Sequence, residues 1–302
     1  MRVTYSPQQL AAAAPFEIGE ALEQGAIVYF PSSPIELPAT ADLAQLREQL
    51  PRQLASKNAS YHPESGRVHG LKGDQELAAL GLRVLRSHSE RVEAFLRRTI
   101  GYLTVGWRVG TSSFRPVQER GRNLKPHASN ELIHIDAGAY GATDGDRILR
   151  FFVNVNPHED RVWATQGAFA SLYQRYGAAA GIAGAHRLDK GPLDRLRTLL
   201  LSGLAAAGLA EATIVDSSPY DRLMRRFHNY MKDTPGFQAA RDSYEELRFP
   251  PFSAWMVLTD TTSHASLAGQ HALVNTFLLR LEACRLAAVA PYHILRDGRA
   301  AA

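Results

Sequence analysis

Residues 146–156, DRILRFFVNVN, constrain this chain more than any other stretch. Side chains alternate along an extended backbone. Leu149, Phe151, Val153 and Val155 therefore share one face, and Arg150, Phe152, Asn154 and Asn156 the other. A pure hydrocarbon face needs a covering layer. A face that mixes arginine, phenylalanine and asparagine suits a barrel wall whose interior holds a ligand. It equally suits a strand with a polar outer face.

The neighbouring segments supply the layers. Residues 26–30 read as a buried strand after Gly25, ended by Pro31. Between Gln75 and Ile100 the apolar residues Leu77, Leu80, Val84, Val92, Phe95 and Leu96 recur at helical spacing. His88 falls on that stripe, so a packed core histidine is expected there. Residues 101–117 read as strands. GAAAGIAGA at 177–185 reads as a loop, followed by a leucine-rich helix with Leu193, Leu196, Leu200 and Leu204 on one side. Ser217, Ser218 and Pro219 open a further helix, whose expected buried face is Tyr220, Leu223, Met224, Phe227 and Met231. Residues 254–259 and 275–279 are strands. Helices come first, and then strands interrupted by helical insertions. This order predicts an α+β chain with its strands in one sandwich or barrel. No linker divides it, so residues 1–302 are expected to form one domain, with helical embellishments near 75–100 and 165–232.

Composition narrows the chemistry. The chain is 45% hydrophobic, too apolar for a disordered segment. Its single cysteine, Cys284, excludes a disulfide framework and any cysteine zinc site, and fits a reducing compartment. No apolar run reaches the roughly 18 residues of a membrane-spanning helix. The opening MRVTYSPQQLAAAAPFEIGE lacks the features of a signal peptide, so a cytoplasmic protein is expected. The net charge is +4, without the basic block of a nucleic-acid binder. Five of the 34 basic residues are lysine and the remaining 29 arginine, the side chain that binds carboxylate and phosphate bidentately.

Two places can carry metal chemistry. His134-Ile135-Asp136 presents an imidazole and a carboxylate on the same side of an extended chain. His264 follows a strong strand and a polar turn. Separately each is weak. Together they have the pattern of the two-histidine, one-carboxylate facial triad of non-haem Fe(II) oxygenases. Zinc hydrolysis uses similar ligands, so the set alone does not decide the metal. The open face would chelate an oxoacid and O2. A cation must hold the oxoacid's far carboxylate. Arg150 is the first candidate, and Arg280, sixteen residues past His264, the second. Asp144 and Asp146 around Gly145 read as turn residues.

Several segments, in order, resemble the Kdo hydroxylases: ALEQGAIVYFP, KNAS (57–60), SFRPV (113–117), Arg122, LIHIDAGAYGATDGDRILRFFVNVNP, RVW (161–163), YDRLMRRFHNYMKD, FPPFSAWMVLTD and SHASLAGQHALVNTF. The resemblance implies a double-stranded β-helix (jelly-roll) core. It implies Fe(II) held by His134, Asp136 and His264, with 2-oxoglutarate and O2 as co-substrates. Arg115, Arg150 and Asn154 would then line the pocket. The implied reaction is hydroxylation of the Kdo sugar of a lipid A precursor. That substrate is an anionic partner met at the inner membrane surface, which mild positive charge suits. Three stretches depart from the family. Ala-Gly-Ala-Tyr-Gly at 137–141 stands where Ala-Phe-Pro-Ser-Arg-Pro is usual. Pro-His-Ala-Ser-Asn-Glu at 126–131 replaces charged residues, and Val274-Asn275 an acidic–Gln pair. These changes touch the rim, and they keep open the same oxygenase chemistry on a free small molecule. A sugar-binding barrel without catalysis is the third reading.

Overall fold

The computed structural model describes residues 1–122, 124–139, 142–191, 194 and 218–300. Its strands are β1 Arg2–Thr4, β2 Ile27–Phe30, β3 Ala59–His62, β4 Arg67–His69, β5 Arg108–Arg115, β6 Arg147–Asn154, β7 Arg161–Thr165, β8 Glu245–Phe249, β9 Ala254–Leu258, β10 Ala265–Ala268 and β11 Ala272–Leu279. They form an eight-stranded sheet in the order β1-β2-β9-β6-β11-β5-β3-β4 and a three-stranded sheet in the order β10-β7-β8. All neighbours are antiparallel except β1 and β2.

The alternation of β6 sets the layers. Leu149, Phe151 and Val153, with Val155 just beyond the strand, pack under the helices Thr40–Gln53 and Gln75–Thr99. They meet Leu43, Leu46, Leu50, Leu77, Leu80, Val84, Val92, Phe95 and Leu96 there. Asp74 caps the longer helix through the Leu77 amide, 3.0 Å away. The opposite face of the large sheet meets the small sheet. Phe152, Trp255, Val257 and Val274 pack there against Trp163, Leu247 and Phe249. Phe249 stacks on Trp255 at 3.9 Å between ring centroids, and Trp163 stands edge-on to Phe152 at 4.8 Å. This is the expected jelly-roll class of core, with two facing sheets that do not close into a barrel among the described strands.

Three expectations need correction. Residues 101–104 form a 3-10 turn, not strand, and β5 begins only after Gly106, whose φ of +64° interrupts extended backbone. The helices do not all precede the strands, since β1 to β4 interleave with them. Asn154 is buried between the sheets without lining a pocket: its Nδ2 donates to the Glu159 and Phe249 carbonyls, both at 2.9 Å, and ties the two sheets together. The leucine-rich stretch at 193–204 and Ser217 lie outside the described residues, Asp194 apart. Ser218 caps the helix Pro219–Asp233, as the Ser-Pro signal predicts. No helix among the described residues is long and apolar enough to cross a membrane.

Candidate metal centre

His134 and His264 are 130 positions apart in sequence and adjacent in space. A single antiparallel bridge joins them: each donates its amide to the other's carbonyl, at 3.0 and 2.8 Å. Asp136 is fixed two residues on, its amide donating to the Thr259 carbonyl at 2.8 Å. The bridge links the segment before β6 to the turn between β9 and β10. Topology thereby unites residues that spacing could only pair by hypothesis.

One ligand atom each from His134, Asp136 and His264 can be chosen so that all lie within 4.8 Å of one another. Asp136 Oδ1 stands 3.7 Å from His134 Nε2 and 3.9 Å from His264 Nε2. Atoms so spaced surround a point within roughly 3 Å of each, near the roughly 2.0–2.2 Å of metal–nitrogen and metal–oxygen bonds. The tautomers suit a metal. His134 Nδ1 lies 2.7 Å from the Leu132 carbonyl and His264 Nδ1 3.0 Å from that of Thr262. A carbonyl only accepts, so each Nδ1 carries the proton and each Nε2 keeps its lone pair for a cation.

Protonation follows from the same packing. Burial pushes both imidazoles below their usual range, so they are neutral donors. Burial alone would raise the Asp136 carboxyl. Arg150, with His264 and His134, reverses this and holds it well below the usual carboxylate range. The Arg150 guanidinium touches Asp136 Oδ2 at 2.9 Å, which leaves Oδ1 facing the imidazoles. Two neutral imidazoles, one carboxylate and no thiolate make a donor set that fits iron.

Arg115, Asn130, Phe152, Trp163 and Ser266 complete the lining. Trp163 stacks on His264 at 5.3 Å. Arg115 Nε, Arg150 Nε and Trp163 Nε1 are buried donors without a hydrogen-bond partner. Such groups are costly unless something accepts from them. Positive charge gathers around them. Loss of water, together with Arg115, Arg122 and Arg150, lowers the Lys57 ammonium to about 8 against the pull of Glu119. Burial lowers the Arg115 guanidinium to about 10, with Arg150 adding to the effect. One wall is locked by a buried ion pair, Arg161 Nη2 to Glu119 Oε1 at 3.0 Å, and by Arg161 donating to Ser266 Oγ at 2.9 Å.

His134, Asp136, His264, Arg150 and Arg115 thus converge on one cleft. Asn154 stays behind in its carbonyl contacts. Arg280 is half-exposed, pairs with Asp146 at 3.0 Å, and lines a separate surface cavity of about 530 Å³. One residue beside the site has no motif to announce it, His228, whose ring stands 5.1 Å from that of His134. His228 sits four residues after Met224 and three before Met231, on the buried helix face, which is the signal that marks it.

The fold is that of the non-haem iron(II), 2-oxoglutarate-dependent oxygenases, and the His134–Asp136–His264 cluster is one that could hold a metal ion. A family model of 3-deoxy-D-manno-oct-2-ulosonic acid (Kdo) hydroxylases matches residues 8–300, and the chain belongs to that family. Among solved structures it is similar to the Kdo hydroxylase KdoO, described as a non-haem Fe(II) α-ketoglutarate-dependent dioxygenase. The apo form and the form with α-ketoglutarate and Fe(III) each give a TM-score of 0.79 at 25% identity, covering 97% of this chain and 94% of theirs. The cobalt(II) form gives 0.79 at 26% identity with the same coverage. No curated protein sequence matches.

Proposed function

We propose that this chain is a Kdo hydroxylase in which His134, Asp136 and His264 hold Fe(II). The observation that carries the reading is the convergence of their three ligand atoms within 4.8 Å, each histidine already in the metal-binding tautomer. When bound, iron with 2-oxoglutarate and O2 supplies the oxidation that hydroxylates a C–H bond. The chain's residues do the positioning. Arg150 holds the outer oxygen of Asp136 and keeps it ionised. Arg115 is left to receive the far carboxylate of 2-oxoglutarate, with Trp163 Nε1 as a further donor. Phe152 and Trp163 keep water from that end of the cleft. The reading departs from the sequence expectation in one respect: Arg150 serves the metal ligand, and Arg115 the oxoacid.

The substrate we propose is the Kdo sugar of a lipid A precursor, reached at the cytoplasmic face of the inner membrane. Its support is the family match and the positive charge about the cleft, which Arg115 and Arg150 line and whose field Lys57 and Arg122 share. The changed sequence at 126–131 and 137–141 favours one rival, the same oxidation of a free small molecule. The test is formation of succinate from 2-oxoglutarate in air with Fe(II). Wild-type protein should form it, and His134→Ala and His264→Ala should each lose at least roughly 100-fold, as loss of a metal ligand does. Full activity in either variant removes that residue from the ligand set. No succinate from iron-loaded wild type removes the oxygenase reading.

A further inference from the structure

The His134-Ile135-Asp136 segment lies outside any ladder of strands. Its ligand-bearing positions are held from one side, by His264 and Thr259. The intervening residues present their backbone the other way, as an extended chain must. There the helix Pro219–Asp233 and the short helix Pro235–Ala239 after it take up the backbone of Ile133 and Ile135. Gln238 accepts from the Ile133 amide at 3.0 Å and donates to the Ile133 carbonyl at 2.8 Å. Its amide also donates to the Met231 carbonyl at 2.8 Å, which ties it to the helix. His228 donates from Nδ1 to the carbonyl of Ile135, the residue between the two ligands, at 2.7 Å. The His228 ring stands edge-on to that of His134, 5.1 Å between centroids and 75° between planes. His228 is 8% exposed, and the metal-competent cluster does not include it.

We propose that His228 is a positioning residue for the metal centre. Its hydrogen bond sets the peptide between His134 and Asp136, and its ring edge sets the plane of the His134 imidazole. The covering helix thereby fixes the angle between two ligands that it does not itself supply. This rests on the reading of His134, Asp136 and His264 as ligands.

The experiment is a Co(II) titration of the full chain, read by the visible absorption of the bound ion and by the melting temperature without metal. His228→Phe keeps a ring against His134 and loses the donor. His228→Asn keeps a donor of similar reach. His228→Phe should bind Co(II) roughly 10- to 100-fold more weakly, with a shifted absorption spectrum, as loss of a partner behind a ligand does. His228→Asn should recover most of the affinity and the wild-type spectrum. Wild-type affinity and spectrum in His228→Phe overturn the proposal. So does a His228→Asn protein that melts like wild type and binds as weakly as His228→Phe. Should His228→Phe fail to fold, the Asn variant decides alone. Absence of Co(II) binding in wild type itself would instead remove the ligand reading, and this inference with it.

Discussion

Arg115 and Arg150 face the same cleft and differ in what each already touches. Arg150 has Asp136 at 2.9 Å, whereas Arg115 lies over the Phe152 ring at 5.8 Å with its Nε unpartnered. Removing a charge-assisted contact to a bound carboxylate costs about 1.5–3 kcal/mol, or roughly 10- to 150-fold. Arg115→Ala should therefore raise KM for 2-oxoglutarate by that factor in steady-state kinetics, while Co(II) affinity changes less than threefold. An unchanged KM would place the far carboxylate elsewhere. His88 makes a second residue-scale prediction. It is wholly buried, and neither ring nitrogen makes a well-formed hydrogen bond, although Asn275 lies beside it. Burial lowers it from 6.5 to about 3. Between those values the unfolded chain takes up a proton that the folded one refuses, so its contribution is fully present above pH 6.5 and is lost as pH falls toward 3. From pH 7.5 to pH 5 that loss is about 2 kcal/mol. Urea unfolding at both values should show His88→Leu losing about that much less than wild type, and equal losses would contradict the assignment.

At the scale of elements, patterns read well where one physical cause dominated. The helix Gln75–Thr99 follows from its apolar stripe, β6 from alternation, and the start of the helix Pro219–Asp233 from its serine cap. Strands β1, β3 and β4 escape the pattern because three or four residues of mixed polarity hold too little periodicity to register, whereas the equally short β2 is an unbroken apolar run. Asn154 misled because alternation gives the face of a side chain and says nothing of which carbonyls lie across from it. The end of β10 offers a test of backbone demand. Gly269 has φ +110°, and a Cβ there would stand 2.9 Å from Arg161 Cα. Its carbonyl also accepts from Arg161 at 3.3 Å, beside the buried pair with Glu119. Gly269→Ala should lower stability by about 1–3 kcal/mol through strained backbone and a displaced Arg161, seen as a lower urea midpoint. An unchanged midpoint would mean that the turn relaxes freely.

Across the whole molecule, the site came through the sequence further than the layers around it did. The sequence offers candidate ligands in their order, because chemistry restricts which residues can hold iron. It does not show their support. The bridge between His134 and His264, the Arg150 contact to Asp136 and the grip of Gln238 on Ile133 are contacts between distant segments, and no local period encodes them. The arginine-rich composition acquires a use here, where Arg115 and Arg150 line the cleft and Arg161 and Arg122 pair with Glu119 in its wall. The central claim is that this cleft oxidises an anionic sugar on a lipid. Mass spectrometry of a Kdo-bearing lipid A precursor, incubated with the iron-loaded protein, 2-oxoglutarate and O2, tests it most directly. The expected result is a gain of one oxygen atom on the sugar, with one succinate formed per product. Succinate formed at full rate while the lipid keeps its mass would contradict it.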